Sequence, residues 1–175
     1  MRDLLELLYA YRFLGREFLI WLWFASETYP DGLIRLPDQD AVQVGVGNRL
    51  VLETGDGEYR ETLVLLGHRS DLQEARLGLR QGKLPEEMQL KLARGREEWF
   101  FNLKATTLEV KGLRRQGGPA AQEGDDPETQ FFDQMYQVEA VSELIDGLFL
   151  LFLDRRLSPA WEQEDLPRLR DWLLG

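Results

Sequence analysis

The chain has 175 residues, a formal net charge of −10 and no cysteine, and 43% of its residues are hydrophobic. A chain of this length is expected to form one domain with a core of its own. Because cysteine is absent, disulfides and thiolate metal sites are excluded. The negative charge also opposes unassisted binding to a phosphate backbone.

Neither the start of the chain nor its apolar runs predict export or membrane insertion. Residues 1–6 carry acids where a secretory signal peptide has an apolar stretch. The longest apolar runs, residues 18–25 and 148–153, are far shorter than the roughly 20 residues that a membrane span needs. We therefore expect a cytoplasmic protein that does not bind a membrane.

The densest aromatic run, FLGREFLIWLWF, occupies residues 13–24. A run that is apolar on every side predicts a core helix or one half of an interface. Residues 1–12 predict a short helix, and Gly15 is expected to separate it from a second helix that ends near Ser26. The predicted inward side of this second helix consists of Phe18, Trp21, Leu22 and Ala25. Trp23 and Phe24 then need cover from other elements or from another chain.

The middle of the chain alternates in the manner of strands. The predicted strands are residues 42–46, 50–52 and 59–66, then 88–92, 99–103 and 108–113, with turns at 47–48 and 55–57. A helix between the two sets begins at a capping box of Ser70 and Gln73 and ends at Gly82. This order predicts an α+β fold of two tandem α-β-β-β units that form antiparallel sheets packed with helices.

The C-terminal part predicts a flexible acidic loop at residues 117–128 and a long helix over residues 130–156. Apolar residues repeat at intervals of four and three from Phe131 to Phe152, and we expect this stripe to pack in the core. The alternative is that the helix packs both on the sheet and on a partner. A short helix with Pro167 in its first turn follows. We interpret residues 1–175 as a single domain, with an internal repeat of residues 13–67 and 68–156 indicated by patterning alone.

Catalytic and metal sites find little support in the sequence. His68 is the only histidine, and the cap explains Ser70, so neither a catalytic triad nor a zinc site is predicted. Glu109 and Lys111 have the spacing of a nuclease E-x-K pair, but no upstream acid completes it. The glycines of Gly45-Val46-Gly47 fit a hairpin better than a phosphate-binding loop. We predict no enzyme activity, no cofactor and no small-molecule substrate.

The bases of the chain are concentrated in its middle. Residues 69–115 hold eleven Lys and Arg against seven Asp and Glu, so this segment carries +4 and the remainder −14. If the strands after Gly82 are neighbours, three lysines share one sheet face, which can follow phosphates without reading bases. An ordinary solvated face is the alternative. The predicted DNA-binding residues are Lys83, Lys91, Arg94, Arg96, Lys104 and Lys111.

Three features resemble the RdgC family of recombination-associated proteins. The run at residues 13–23 resembles a segment of divergent RdgC-like proteins. The second feature is a passage that contains Glu74-Ala75, then residues 79–83 ending in Gly82-Lys83, and then Leu90-Lys91-Leu92. It resembles the passage from helix through Gly-Lys to strand in the C-terminal portion of that family. The third feature is the order of two further strands, an acidic gap and the long helix at residues 131–156.

The resemblance implies a non-catalytic protein of bacterial or phage origin that forms ring-like dimers and binds duplex DNA with little sequence preference. Such proteins restrain RecA-dependent strand exchange. The chain departs from the family because it matches only the C-terminal portion and is strongly acidic. Our first hypothesis is a homo-oligomeric, nucleoid-associated protein that binds DNA weakly through its basic strands. The alternatives are a protein-interaction or oligomerisation module without nucleic-acid contact and, less favoured, a metal-dependent nuclease.

Overall fold

The structure is a computed structural model that describes residues 12–37, 41–54, 60–67, 71–117 and 126–175. In these ranges it confirms the α+β class, with helices packed on an antiparallel sheet of six strands. The strands are β1 (Leu33–Ile34), β2 (Val42–Thr54), β3 (Glu61–Leu66), β4 (Leu84–Arg94), β5 (Glu97–Lys104) and β6 (Val110–Gln116). The helices are α1 (Arg12–Thr28), α2 (Asp71–Arg80), α3 (Pro127–Arg156) and α4 (Leu166–Leu174).

Strand β2 joins the two sets of strands into one sheet. Its first residues pair with β1 and its last residues pair with β3, while β4 pairs along its other side. Strands β4, β5 and β6 then form an antiparallel meander. The two predicted α-β-β-β units therefore share a single sheet through the contact between β2 and β4.

The tight connection predicted at Gly47-Asn48 was wrong. Strand β2 runs through both residues, and its register against β4 shifts between Val46 and Leu50. The side chain of Gln89 reaches β2 here, and its Oε1 accepts a hydrogen bond from the backbone N–H of Asn48 at 2.7 Å. Because a Cβ at Gly47 would lie 2.4 Å from Oε1 of Gln89, the glycine makes room for this contact. The Gly-Asn pair marks a bulge, not a turn.

The helix break predicted at Gly15 was also wrong. Helix α1 passes through this residue without interruption. A Cβ at Gly15 would lie 1.7 Å from the carbonyl oxygen of Ala105, just beyond β5. The glycine therefore allows helix and strand backbones to approach closely.

Several predicted features lie outside the described residues. They are residues 1–11 of the short helix predicted at residues 1–12, the turn at residues 55–57, His68, Ser70 and most of the acidic loop at residues 117–128.

The core lies between the helices and one face of the sheet, which we call the inner face. Every residue from 18 to 25 except Ile20 is buried. The sheet contributes alternate buried residues, among them Val44, Leu90, Leu92, Trp99, Phe101 and Leu103. Trp172 of α4 covers Trp23 and Phe24, with ring centroids 5.2 and 5.8 Å apart, so this cover comes from the chain itself.

The two halves of helix α3 differ in burial. Leu144, Leu148 and Phe152 in the second half are buried in the core. Phe131, Met135 and Val138, which the sequence assigned to the same core stripe, are 52–58% exposed. The first half instead faces the sheet through polar side chains.

None of the helices within the described ranges is long and apolar enough to cross a membrane.

Candidate nucleic-acid interface

The side of the sheet turned away from the helices is the outer face. Along β4 and β5, buried inner residues alternate with half-buried residues of this face. Residues of adjacent strands lie opposite one another as Glu87 and Lys104, Gln89 and Asn102, and Lys91 and Phe100. On β6, Lys111 lies opposite Asn102 and Arg114 lies opposite Phe100. The outer face thus combines cations, amides, carboxylates and one aromatic ring.

Lys91, Lys104 and Lys111 all lie on the outer face, as the sequence predicted. They do not form a straight row across the strands. Lys91 is level with Phe100 and Lys111 with Asn102, while Lys104 lies two residues further along β5. The three lysines therefore form a triangle on the outer face, with Lys104 of the middle strand displaced toward one end.

Two of these lysines have a carboxylate neighbour. Nζ of Lys91 lies 2.9 Å from Oε2 of Glu98 and 5.5 Å from the centroid of the Phe100 ring. Nζ of Lys111 lies 3.7 Å from Oε2 of Glu109. Exposed ion pairs of this kind contribute about 0–1 kcal/mol, so a phosphate can replace either carboxylate at low cost.

Lys104 has no ion-pair partner among the described residues. The carboxylate opposite it, Glu87, instead lies 3.1 Å from Nε of Arg49. Lys104 is therefore available to an anion without the loss of an existing ion pair.

Arg114 is a cation of the outer face that the sequence prediction missed. Strict alternation from Lys111 places residues 113 and 115 on this face, but the register between β5 and β6 shifts and puts Arg114 opposite Phe100. Gly112, with a φ of +63°, lies within the irregular stretch of β6. Arg114 is exposed and has no ion-pair partner in the described ranges. A glycine inside a predicted strand was the signal that could have revealed it.

Arg115 is withdrawn from the surface. Its side chain is only 4% exposed, with Nη1 3.5 Å from Oε1 of Glu97 and Nη2 2.7 Å from Oδ1 of Asp133. This arginine joins the sheet to the first half of α3, so it adds no accessible charge to the basic segment.

Lys83 lies at the opposite end of β4 from Lys91 and Arg94, the end at which Lys104 lies opposite Glu87. It precedes β4, whereas Arg94 ends that strand, and eleven residues of strand extend about 35 Å. Nζ of Lys83 lies 2.9 Å from Oε2 of Glu61, and this hydrogen bond and charge lower the pKa of Glu61. The structure therefore places Lys83 in a local ion pair away from the outer face.

Arg94 and Arg96 lie at the turn between β4 and β5. The guanidinium of Arg94 lies 5.8 Å from the centroid of the Trp99 ring, and Arg96 is exposed. By register Arg94 lies on the inner face, because it is two residues from the buried Leu92, lies opposite Glu97 and contacts Trp99. Arg94 therefore adds no charge to the outer face, and Arg96 lies in the turn that follows it.

The described residues contain no group of three or more His, Cys, Asp or Glu side chains that could hold a metal ion. Glu109 precedes β6, where the sequence predicted it inside a strand, and it pairs with the Lys111 of its own E-x-K motif.

The geometry of the outer face offers phosphate contacts by Lys91, Lys104, Lys111 and Arg114. No family model, curated protein or solved structure matches the chain.

Proposed function

We propose that the protein is a non-catalytic, RdgC-like DNA-associated protein that acts in recombination or its regulation. It contacts duplex DNA weakly and without sequence preference through the outer face. The observation that supports this proposal most is the grouping of Lys91, Lys104, Lys111 and Arg114 on a sheet face that no described helix covers. Cations that contact phosphates fix the position of a protein on DNA without reading bases.

The carboxylates of the same face keep the affinity low. Glu87 and Glu98 lie among the cations, and the whole chain carries a net charge of −10. Each phosphate contact by Lys91 competes with Glu98, and long-range repulsion slows the approach of the polyanion. Binding is therefore expected only at low salt. A cytoplasmic, nucleoid-associated protein fits this behaviour.

Fluorescence anisotropy with a labelled duplex at low salt tests the proposal. We expect Lys104→Glu/Arg114→Glu to weaken binding at least tenfold, because it reverses the two unpaired cations of the outer face. The matched control is Arg35→Glu/Arg170→Glu, which changes the net charge equally at two exposed arginines elsewhere. No binding by the wild type, or an equal loss in both double variants, rejects the proposal.

Strand β3 supports a second candidate function, self-association. Within the described residues this strand pairs only with β2, so its other edge is free. Val64 and Leu66 beside that edge are 46% and 67% exposed. Edge strands with exposed apolar residues readily pair with a second chain. An antiparallel contact between two copies of β3 would continue the sheet across a homodimer.

Sedimentation velocity distinguishes this second candidate. The wild type is expected to form a dimer that Leu66→Lys converts to a monomer, because a lysine at the edge opposes strand pairing. Leu157→Lys serves as the control, since Leu157 is 81% exposed and distant in sequence from β3. A wild type that stays monomeric at high concentration excludes the dimer.

A further inference from the structure

The first half of α3 presents an apolar stripe to solvent. Phe131, Phe132, Met135 and Val138 are 56%, 60%, 52% and 58% exposed. With about 150–250 Å² for each aromatic side chain, the stripe exposes on the order of 400 Å². The largest apolar patches of monomers reach roughly this size, about 300–600 Å², and often mark a binding site.

Polar contacts hold this part of the helix in place with its apolar side outward. Asp133 accepts a hydrogen bond from the buried Arg115 at 2.7 Å, and the hydroxyl of Tyr136 donates one to Glu97 at 2.9 Å. An amphipathic helix normally turns its apolar side to the core and its polar side to water. Here the sheet takes the polar side, so the stripe is fixed in an exposed position.

One flank of the stripe is acidic. At 100° per residue, Glu128, Glu139 and Glu143 lie on the same side of the helix as Phe132. All three are exposed and have no ion-pair partner within the described part of the chain. No lysine or arginine occurs in α3 before Arg155. The surface is therefore complementary to a ligand that is both apolar and positively charged.

We propose that this stripe docks an amphipathic helix of a partner protein, with apolar anchors on one face and lysine or arginine along its edge. Helix-in-groove recognition commonly uses anchors at such spacing. A second copy of α3 fits less well. Antiparallel pairing of the stripes would bring the acidic flanks together, and like charges across an interface oppose association. Parallel pairing would leave both flanks without a cation, because α3 has none before Arg155. This docking is independent of DNA binding by the outer face.

A model peptide can stand for the unidentified partner. A fluorescein-labelled amphipathic helix of leucine and lysine is titrated with the full chain, in parallel with a peptide that replaces every lysine by glutamate. We expect the lysine peptide to bind at least tenfold more tightly, as measured by fluorescence anisotropy. Equal binding of the two peptides contradicts the proposed charge complementarity.

Met135→Glu separates docking on the stripe from attraction to an acidic protein. The substitution adds a negative charge, so a purely electrostatic contact with the lysine peptide would become tighter. If the peptide docks on the stripe, the same substitution should weaken its binding at least tenfold. Val138→Glu provides a second variant, and both sites are more than half exposed, so folding should be retained. Thermal melting monitored by circular dichroism verifies this. Unchanged or tighter binding by both folded variants rejects the docking site.

The acidic flank is tested by Glu139→Gln/Glu143→Gln. The expected result is several-fold weaker binding of the lysine peptide. The control Asp154→Asn/Glu162→Gln removes the same charge from exposed positions beyond the stripe and should have little effect. An equal loss in both double variants rejects a localised flank. Sedimentation that shows a wild-type dimer dissociated by Met135→Glu would instead assign the stripe to a second copy.

Discussion

Glu27 shows how one carboxylate joins three helices. Its oxygens accept hydrogen bonds from Nε1 of Trp23 and from Nε1 of Trp172, each at 2.8 Å, and it also pairs with Arg76. These partners belong to α1, α4 and α2. The sequence did not reveal this role, because Arg76 and Trp172 are 49 and 145 residues away and only the tertiary fold brings them to Glu27.

Glu27→Ala should destabilise the protein by about 2–3 kcal/mol, because two largely buried indole N–H groups lose their acceptor. Urea unfolding followed by tryptophan fluorescence measures this loss. Glu162→Ala is the control, since an exposed surface carboxylate usually contributes within about 0.5 kcal/mol. Equal unfolding free energies for Glu27→Ala and the wild type would show that the three contacts are not formed.

Gly15→Ala should destabilise the protein, although alanine is more favourable than glycine in a helix interior by about 1 kcal/mol. The added Cβ would meet the carbonyl oxygen of Ala105 at 1.7 Å, and backbone on both sides resists displacement. Gly147→Ala is a matched helical control, because its Cβ would meet only the Leu36 side chain, at 3.1 Å. Thermal melting should show a larger loss for Gly15→Ala. The opposite order contradicts the close approach of α1 to β5.

At the scale of elements, local patterns predicted most of the fold. Alternation located the core residues of β4 and β5, for example Leu90 and Leu103, because a strand exposes its two faces in turn. Gly82, with a φ of +87°, follows α2 as predicted. Such features depend on neighbours along the chain, which a sequence displays directly.

The features that the sequence missed depend on neighbours across the chain. Gly47 lies in a bulge because Gln89 of another strand crosses it. The register shift near Gly112 likewise moves Arg114 to the outer face. Phe131 and Met135 have the spacing of a core stripe, yet Arg115 binds the polar side of their helix instead. Pairing partners, and not local periodicity, determine these placements.

The start of α3 should depend on the ionisation of its N-cap. The amide of Thr129 donates a hydrogen bond to Asp126, and this lowers the pKa of Asp126 below its ordinary value of 3.8. The ionised cap therefore stabilises the fold fully above this ordinary pKa. The contribution is lost as the pH falls through the lower pKa of the folded protein.

Thermal melting of wild type and Asp126→Ala at neutral and acidic pH tests the cap. We expect the wild type to melt at the higher temperature at neutral pH and the difference to shrink in acid. Asp126→Asn is the control, because asparagine caps a helix without titrating. A difference from Asp126→Ala that is the same at both pH values contradicts the ionised cap.

At the scale of the whole molecule, the proposed DNA binding predicts that the acids of the outer face limit the affinity. Glu98→Gln releases Lys91 from its 2.9 Å ion pair and removes a charge that repels phosphates. We expect several-fold tighter binding of duplex DNA in the anisotropy assay. Glu162→Gln, which makes the same charge change at an exposed site, should have a smaller effect. Equal effects of the two substitutions would indicate a general charge response.

The salt dependence of duplex affinity tests the proposed role of the outer face in DNA binding most directly. Two to four phosphate contacts predict a slope of about −2 to −4 for the logarithm of the binding constant against that of the salt concentration. Arg114→Gln should bring the slope closer to zero by about 1, while Arg170→Gln should leave it unchanged. A wild-type slope near zero, or equal slopes for wild type and Arg114→Gln, would contradict DNA binding through this face.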